Sequence, residues 1–381
     1  MHPPTDPIAA VTHPDPYPYY AALVAERPFL RDERLGLWVA AGAAAVEGAL
    51  SAGAARVRPP DQPVPPALLG SAVGGTFGRL VRMTDGAYHA AMRQAVVATL
   101  AAVDAARIRD AATHAAAILR LDRSARPFVD RVEAAMAGLP VATVALLLGV
   151  RPEDVAAMVG GAGDVVRAIA PAATADEVGR GADAIAVLRG LLTAAAADAP
   201  FALLVSEARK AGCDAEAAVA NAVGFLSQTF DATAGLVGNA LRALARERPE
   251  RSGVPSDPVR TAAFLREVLR HDPPVHNTRR FLAAEAVVAG RPLPAGSQIL
   301  VVLAAAGRDP AINPSPGRFA IDRPDRRHFA FGAGRHACPG ETIATGVAAF
   351  ALCLLASGIG DLPVDPAYRA LPNARIPVFR R

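Results

Sequence analysis

One stretch constrains the fold more than any other. Residues 214–248 read DAEAAVANAVGFLSQTFDATAGLVGNALRALARER, with apolar positions almost all the way round a helical wheel. A helix without a polar face is stable only when other elements cover it on all sides. The chain is therefore expected to be built around one central, buried helix. Its middle, Ser227-Gln228-Thr229-Phe230-Asp231-Ala232-Thr233, breaks the apolar rod with hydroxyls, an amide and a carboxyl. Buried polar groups are costly unless partnered. Such an island marks either a site or Ser and Thr hydroxyls bonded back to carbonyls one turn earlier.

The rest of the chain suits helices packed around that rod. The hydrophobic fraction is 52% against 20% charged, and alanine, the best helix former, is abundant throughout. The 33 prolines and 32 glycines fall between the alanine-rich runs as punctuation. Helices are expected over 17–26, 44–53 and 80–96, then in a series over 100–220 broken at Pro127, Gly138-Leu139-Pro140, Pro152, Pro171 and Pro200. Strand-like residues occupy 35–41 and the segment after Pro274, and residues 371–380 read as a closing hairpin strand. Residues 57–80, rich in proline and glycine, are expected to be a long loop, which in a compact domain is usually functional or mobile. The proline-rich start reads as an arm over 1–12 attached to a single domain spanning 1–381.

Composition also excludes some functions. Cys213, Cys338 and Cys353 form no close-spaced pair, which argues against a disulfide framework or a zinc cluster and fits a reducing cytosol. Cys213 and Cys353 read as small hydrophobes. The N-terminal MHPPTDPIAA has neither the basic start nor the apolar stretch of a signal peptide, so a cytoplasmic location is expected. Residues 342–360 lack charge and approach membrane-spanning length. They contain Thr, Ser and Gly and start beside Cys338, so they read as a buried helix. Net charge is +4 with no basic run longer than a pair, and aromatics are 5%, a poor basis for nucleic-acid binding.

The chemistry concentrates in HFAFGAGRHACPG, His328 to Gly340. Its glycines let backbone turn tightly and approach a flat ligand, and a lone cysteine there suits a thiolate metal ligand with amides bonding the sulfur. The pattern F-x-x-G-x-x-x-C-x-G, at Phe331, Gly334, Cys338 and Gly340, resembles the haem-binding loop of the cytochrome P450 family. His89 and Arg93, four apart on one helix face, suit either a solvated surface or a grip on carboxylates. Glu267 and Arg270 form an E-x-x-R followed by Asp272-Pro273-Pro274-Val275. A second copy, Glu177 and Arg180, reads as an exposed helical pair.

The resemblance implies a mainly α fold with small β-sheets, and haem b lying between the central helix and the Cys338 loop. It implies Cys338 as the thiolate axial ligand, in preference to His276. His89, Arg93, Arg280 and His336 become propionate partners, and Glu267, Arg270 and Arg323 a structural cluster. Residues 57–80 and Val275 to Thr278 are placed beside a substrate pocket. Residues 228–232 align with the family's oxygen-activating segment, with Asp231 as the acid. The usual threonine after the acid is here Ala232, and the usual small pair before it is Gln228 and Thr229. Thr229 or Gln228, from the previous turn, or the substrate itself is expected to supply the missing hydrogen bond, with Asp231 feeding protons through water.

The implied activity is monooxygenation of a small, secondary-metabolite-like organic substrate by O2, with electrons from a ferredoxin and its reductase. Ala232 keeps open an alternative: oxidative coupling or another atypical oxidation. Arg326, Arg327 and Arg335 are candidates for a basic ferredoxin-docking face. A monomer without membrane or nucleic-acid partners is expected. Passive haem or ligand binding is a separate class, and the polar island argues against it, because a passive binder has no use for a proton path.

Overall fold

The computed structural model describes residues 2–121, 126–247 and 253–380. Met1 and Arg381, the ends of the expected domain, and Arg248, the last residue of the expected central helix, lie outside the described residues. The central helix runs Ala215–Arg246, and the Asp214 carboxylate caps it by accepting from the Ala217 N–H at 2.7 Å. Helices Phe128–Leu147, Val155–Ala168, Ala175–Thr193, Pro200–Lys210, Pro258–His271 and Glu341–Leu355 all pack on it. The fold is mainly α with small sheets. Five strands form one sheet in the order Phe29–Asp32, Leu37–Ala40, Gln298–Val301, Thr278–Leu282, Ala55–Arg56. Two two-stranded ladders complete it, one of them the C-terminal hairpin of Ala367–Tyr368 and Pro377–Val378.

Three local expectations need correction. The break at Gly138-Leu139-Pro140 is absent, because one helix, Phe128–Leu147, runs through it. A helix-interior proline costs about 3 kcal/mol. Leu139, Val141 and Ala142 are fully buried around it, and burying each larger side chain returns roughly 1.5–3 kcal/mol. Residues 57–80 are not one loop but contain a 3-10 turn, Pro66–Leu68, and a helix, Ala72–Phe77, capped by Ser71. Gly74 is required there, since a Cβ would sit 2.0 Å from the Leu68 carbonyl oxygen. The N-terminal arm is docked rather than free: Ala10 and Val11 are fully buried. The buried Arg375 guanidinium donates to the carbonyls of Val11, His13 and Pro14 at 3.0, 2.7 and 3.0 Å.

One helix among the described residues, Glu341–Asp361, is long and apolar enough to cross a membrane. Its buried face, including Val347, Ala351 and Leu355, packs against the central helix and against Ala105–Ile118 and Phe128–Leu147.

A buried ionic network fixes the segment that leads into the cysteine loop. Glu267 and Arg270 are both fully buried and joined by two bonds, at 2.6 and 2.9 Å. Arg323 approaches Glu267 at 3.7 Å, as the resemblance implied. Arg326 joins as a fourth member, its Nε donating to Glu267 at 3.1 Å. Arg326 therefore faces inward and is withdrawn from any docking face.

Candidate functional site

The cysteine loop is shaped by two left-handed glycines, Gly332 at φ +69° and Gly334 at φ +68°. The Cys338 N–H donates to the Phe331 carbonyl at 2.8 Å, which folds the loop back on itself. Helix Glu341–Leu355 starts immediately after Gly340, and the Gly340 N–H points to the Cys338 sulfur. Burial pushes the Cys338 thiol up; the Gly340 N–H and the Arg82 and Arg93 charges pull it down without cancelling the rise. A thiol of this kind keeps its proton until a metal displaces it. Cys338 is accessible, yet its surroundings withdraw it from bulk water.

The central helix opens in one place. From Ala217 to Leu241 every residue is buried except Phe225 and the five consecutive residues Gln228 to Ala232. There the Gln228 amide donates to the Gly224 carbonyl at 2.8 Å. The Thr229 and Thr233 hydroxyls bond each other at 2.9 Å. Asp231 pairs with Arg369 of the C-terminal hairpin at 3.2 Å. Burial raises the Asp231 carboxyl above its ordinary range, and Arg369 pulls it back only in part. Ser227 bonds back to the Gly224 carbonyl at 3.2 Å, so for that residue the local, structural reading holds.

A second group of polar residues gathers near the cysteine. His336 Nε2 lies 3.0 Å from Asp85 Oδ1, and Arg335 Nε lies 3.6 Å from the same oxygen. The His89 and His336 rings are 4.2 Å apart. Arg280 is buried, in reach of the charges of Asp85 and Arg335. Arg93 acts on both Cys338 and His89. Burial first, then His336, lowers His89 from 6.5 to about 4, so at neutral pH its ring is uncharged. Burial raises Asp85, but the His336 and Val57 hydrogen bonds and the His336 and Arg335 charges outweigh it and hold the carboxyl low. Burial lowers Arg280 to about 10.

Two guanidinium groups, Arg280 and Arg335, and two imidazoles, His89 and His336, thus stand within reach of the Asp85 carboxylate, and Arg93 acts on His89 and Cys338. Among the described residues, no hydrogen bond or ion pair reaches His89 or Arg93. Arg280 donates only to the Arg279 carbonyl and the Thr278 hydroxyl. Uncharged His89, half-buried Arg93 and buried Arg280 leave donors with no acceptor within the described residues, which an anionic ligand would satisfy. The surplus fits a flat ligand that brings further carboxylates, and the haem with its two propionates is such a ligand.

The structure thus brings His89, Arg280 and His336 together around Asp85, with Arg93 between that group and Cys338. Gln228, Thr229 and Asp231 share the open stretch of the central helix. Two expectations fail. His276 is fully buried and bonded to the Tyr20 hydroxyl at 3.0 Å, and Asn277 donates to the Pro372 carbonyl at 2.9 Å. Both are committed to chain packing rather than to a pocket. Of the expected docking arginines, Arg327 pairs with Glu47 at 3.2 Å, and Arg335 is spent on Asp85 and the Ala52 and Ala55 carbonyls. Two participants, Asp85 and Arg369, and the bond that ties Thr233 to Thr229 escaped sequence reading. Asp85 precedes His89 by one helical turn, and Thr233 follows Thr229 by one, so both were open to spacing rules. Arg369 lies 138 residues from Asp231 and was not. An open cleft of about 660 Å³ lies elsewhere, along Glu26 to Arg31 and Gly42 to Ala45. It holds no thiol and none of the cation cluster, so the site is assigned to the cysteine loop.

Comparison with known proteins agrees with this placement. The family model described as Cytochrome P450 matches residues 258–355. Cytochrome P450 144 of Mycobacterium tuberculosis is 30% identical over 292 residues, 74% of this chain and 67% of that one. The 6-deoxyerythronolide B hydroxylase of Saccharopolyspora erythraea is 36% identical over 115 residues, 30% of this chain and 28% of that one. Several other curated relatives match over only about a quarter of their length, 26%. The crystal structure of CalO2 superposes with a TM-score of 0.82 at 25% identity, covering 98% of this chain and 96% of that one.

Proposed function

The chain belongs to the cytochrome P450 family, whose cofactor is haem b on a cysteine thiolate, and from that premise we propose a haem-thiolate monooxygenase formed as one domain. It would insert one oxygen atom of O2 into a small organic substrate of secondary-metabolite type. Cys338 is the axial ligand. His89, Arg93, Arg280 and His336 hold the propionates, and Asp85 orients His336. The observation that carries this reading is the surplus of donors at His89, Arg93 and Arg280 over the acceptors around them, with the Arg93 charge acting on the thiol of the glycine-built Cys338 loop.

When bound, the haem supplies oxygen activation, helped by the electron density that a thiolate donates to iron. The chain supplies the rest. The Gly340 N–H holds the sulfur, and the loop glycines let backbone lie against a flat ring. Asp231 is the relay carboxylate: Arg369 holds Oδ1, and Oδ2 is left to hand on a proton that arrives from solvent. The Thr229 and Thr233 hydroxyls, bonded to each other, pass that proton along the helix face in place of the hydroxyl absent at Ala232. Gln228 keeps its amide oxygen free to accept a further hydrogen bond while its nitrogen is tied to Gly224.

Electrons are expected one at a time from a ferredoxin and its reductase. With Arg326 inward, Arg327, exposed but paired with Glu47, and Arg335, paired with Asp85, leave this face little net positive charge. A cytoplasmic monomer, without membrane or nucleic-acid partners, fits the buried face of Glu341–Leu355 and the absence of basic runs.

Ala232 favours a second reading, oxidative coupling or another atypical oxidation that depends less on that hydroxyl. The test is turnover of the haem-loaded chain with ferredoxin, reductase and substrates selected by haem spectral shift, followed by mass spectrometry. Gain of one oxygen supports monooxygenation, and loss of two hydrogens supports coupling or desaturation. Haem binding without reductase-dependent product would overturn both.

A further inference from the structure

Asp231 is held by a residue whose own side chain nothing else holds. The Arg369 guanidinium donates to Asp231 Oδ1 at 3.2 Å, and among the described residues it has no other hydrogen bond or ion pair. The Arg369 side chain is 32% exposed, so water is open to it as an alternative partner. Its place at Asp231 therefore depends on the backbone beneath it, the hairpin of Ala367–Tyr368 and Pro377–Val378.

That hairpin is fixed at Arg375. The Arg369 N–H donates to the carbonyl of Ile376, the next residue after Arg375, at 3.0 Å. On the facing strand Tyr368 precedes Arg369, and the Arg375 guanidinium stands 3.5 Å over the Tyr368 ring. Arg375 is buried and bonds in two directions. It donates to the arm at the Val11, His13 and Pro14 carbonyls, and its Nε donates to Asp272 at 3.1 Å. Asp272 is held in turn by the Tyr17 hydroxyl and by Arg242 at 3.3 Å. The Arg375 N–H donates to the Pro274 carbonyl at 2.7 Å. Gly235 and Gly238, one and two turns beyond Asp231, let the same strand lie on the central helix. A Cβ on Gly235 would stand 3.3 Å from the Arg375 carbonyl oxygen, and one on Gly238 would stand 2.6 Å from Pro377.

A buried ion pair is weak evidence for stability, since apolar side chains of similar volume often do as well. What they lack is direction. Hydrogen bonds to four separate acceptors fix a strand along its own axis, where apolar contacts let it slide. We infer that Arg375 is a positioning residue for the proton relay: it ties the arm, Asp272 and the hairpin to one point and so keeps Arg369 on Asp231. The inference rests on the reading of Asp231 as relay carboxylate and adds what holds that carboxylate in its working state. Burial raises the Asp231 carboxyl, and Arg369 is the charged group that pulls it back. A cation nearby favours the charged form, so a loosened hairpin should let the carboxyl rise further.

The test follows the Asp231 carboxyl by carbon NMR in the haem-loaded, diamagnetic ferrous carbonyl form, with Asp231→Asn marking its signal. Arg375→Gln should raise the titration midpoint by about half or more of the rise caused by Arg369→Gln. Arg375→Lys keeps a charge opposite Asp272 but cannot reach three carbonyls at once, so its rise should be smaller. In the Arg369→Gln background neither substitution should add a further rise, because residues acting through one contact are not additive. A purely structural role would leave the midpoint unmoved or move it in both backgrounds. Where Arg375→Gln fails to hold haem, Arg375→Lys decides. An unmoved midpoint, or a rise that persists without Arg369, overturns the proposal. Loss of haem from both Arg375 variants also overturns it, since Arg375 would then serve the fold. The carbonyl spectrum of the same wild-type sample separates the two levels. A thiolate-type spectrum with an unmoved midpoint in the variants removes only Arg375 from the account, whereas any other spectrum removes the haem-thiolate reading together with this one.

Discussion

The network at Glu267 and the cluster at Asp85 each gather arginines around one carboxylate, fully buried in the first and half-buried in the second, but only the first is closed. Arg270 uses its guanidinium on Glu267 and on the carbonyls of Gly307, Pro316 and Arg318. Glu267 also accepts from Arg326 and from the Ala320 N–H. Within that network only Arg323 Nε lacks a bond, at 3.7 Å from Glu267. At Asp85 the balance is reversed: His89 and Arg93 have no acceptor, and Arg280 is only partly used. A closed ionic network holds a fold. An open one, with donors in excess, holds a ligand of opposite charge. The sign and size of the surplus, rather than the residue types, separate the two.

That contrast makes graded predictions. The largest effect is expected from Glu267→Ala, which strands three arginine side chains and should cost about 3–5 kcal/mol of stability, with or without haem. Chemical denaturation of both forms checks it, and a loss confined to the haem-loaded form would break the contrast. Arg93→Ala should behave oppositely. The haem-free protein should change by no more than about 0.5 kcal/mol, because no partner is lost, while haem retention falls severalfold in transfer to an acceptor protein.

Acid should also tell the two states apart. His89 has a folded pKa of about 4 against an ordinary 6.5. Its folded value is depressed, so the unfolded chain binds the extra proton first. Stability should therefore fall as pH drops from about 6.5 towards 4. His271 and His276, each lowered to about 3, add to the same trend. In haem-free protein, His89→Gln should flatten part of this slope. Haem propionates beside His89 should flatten it as well, because they favour the charged ring. The smallest effect is expected from Arg327→Ala. That exposed pair with Glu47 should be worth under about 1 kcal/mol, and the variant should retain haem like wild type.

The parts that the sequence revealed are those with local signatures. The central helix is read from its apolar pattern, while the cysteine loop, the E-x-x-R pair and the H-x-x-x-R helix are short motifs whose roles the family resemblance supplies. What stayed hidden depends on tertiary packing. Arg326 looked like a surface charge because nothing in its neighbourhood shows that Glu267 needs a further donor. Pro140 looked like a helix end because propensity does not see the buried Leu139 and Val141 that keep the helix whole. His276 looked like a pocket residue because its sequence position does not show that Tyr20, 256 residues away, takes its ring nitrogen. The hydroxyl missing at Ala232 and Thr229 as a substitute were legible, but the hydrogen bond between Thr229 and Thr233 was not.

The central claim is that the open cluster and the sulfur of Cys338 together hold an iron porphyrin. It is tested most directly by the ferrous carbonyl spectrum of the fully haem-loaded chain, compared with that of Cys338→Ala. The account predicts a thiolate-type spectrum that disappears on substitution. An imidazole-type spectrum in the wild type, unchanged in Cys338→Ala, would contradict it.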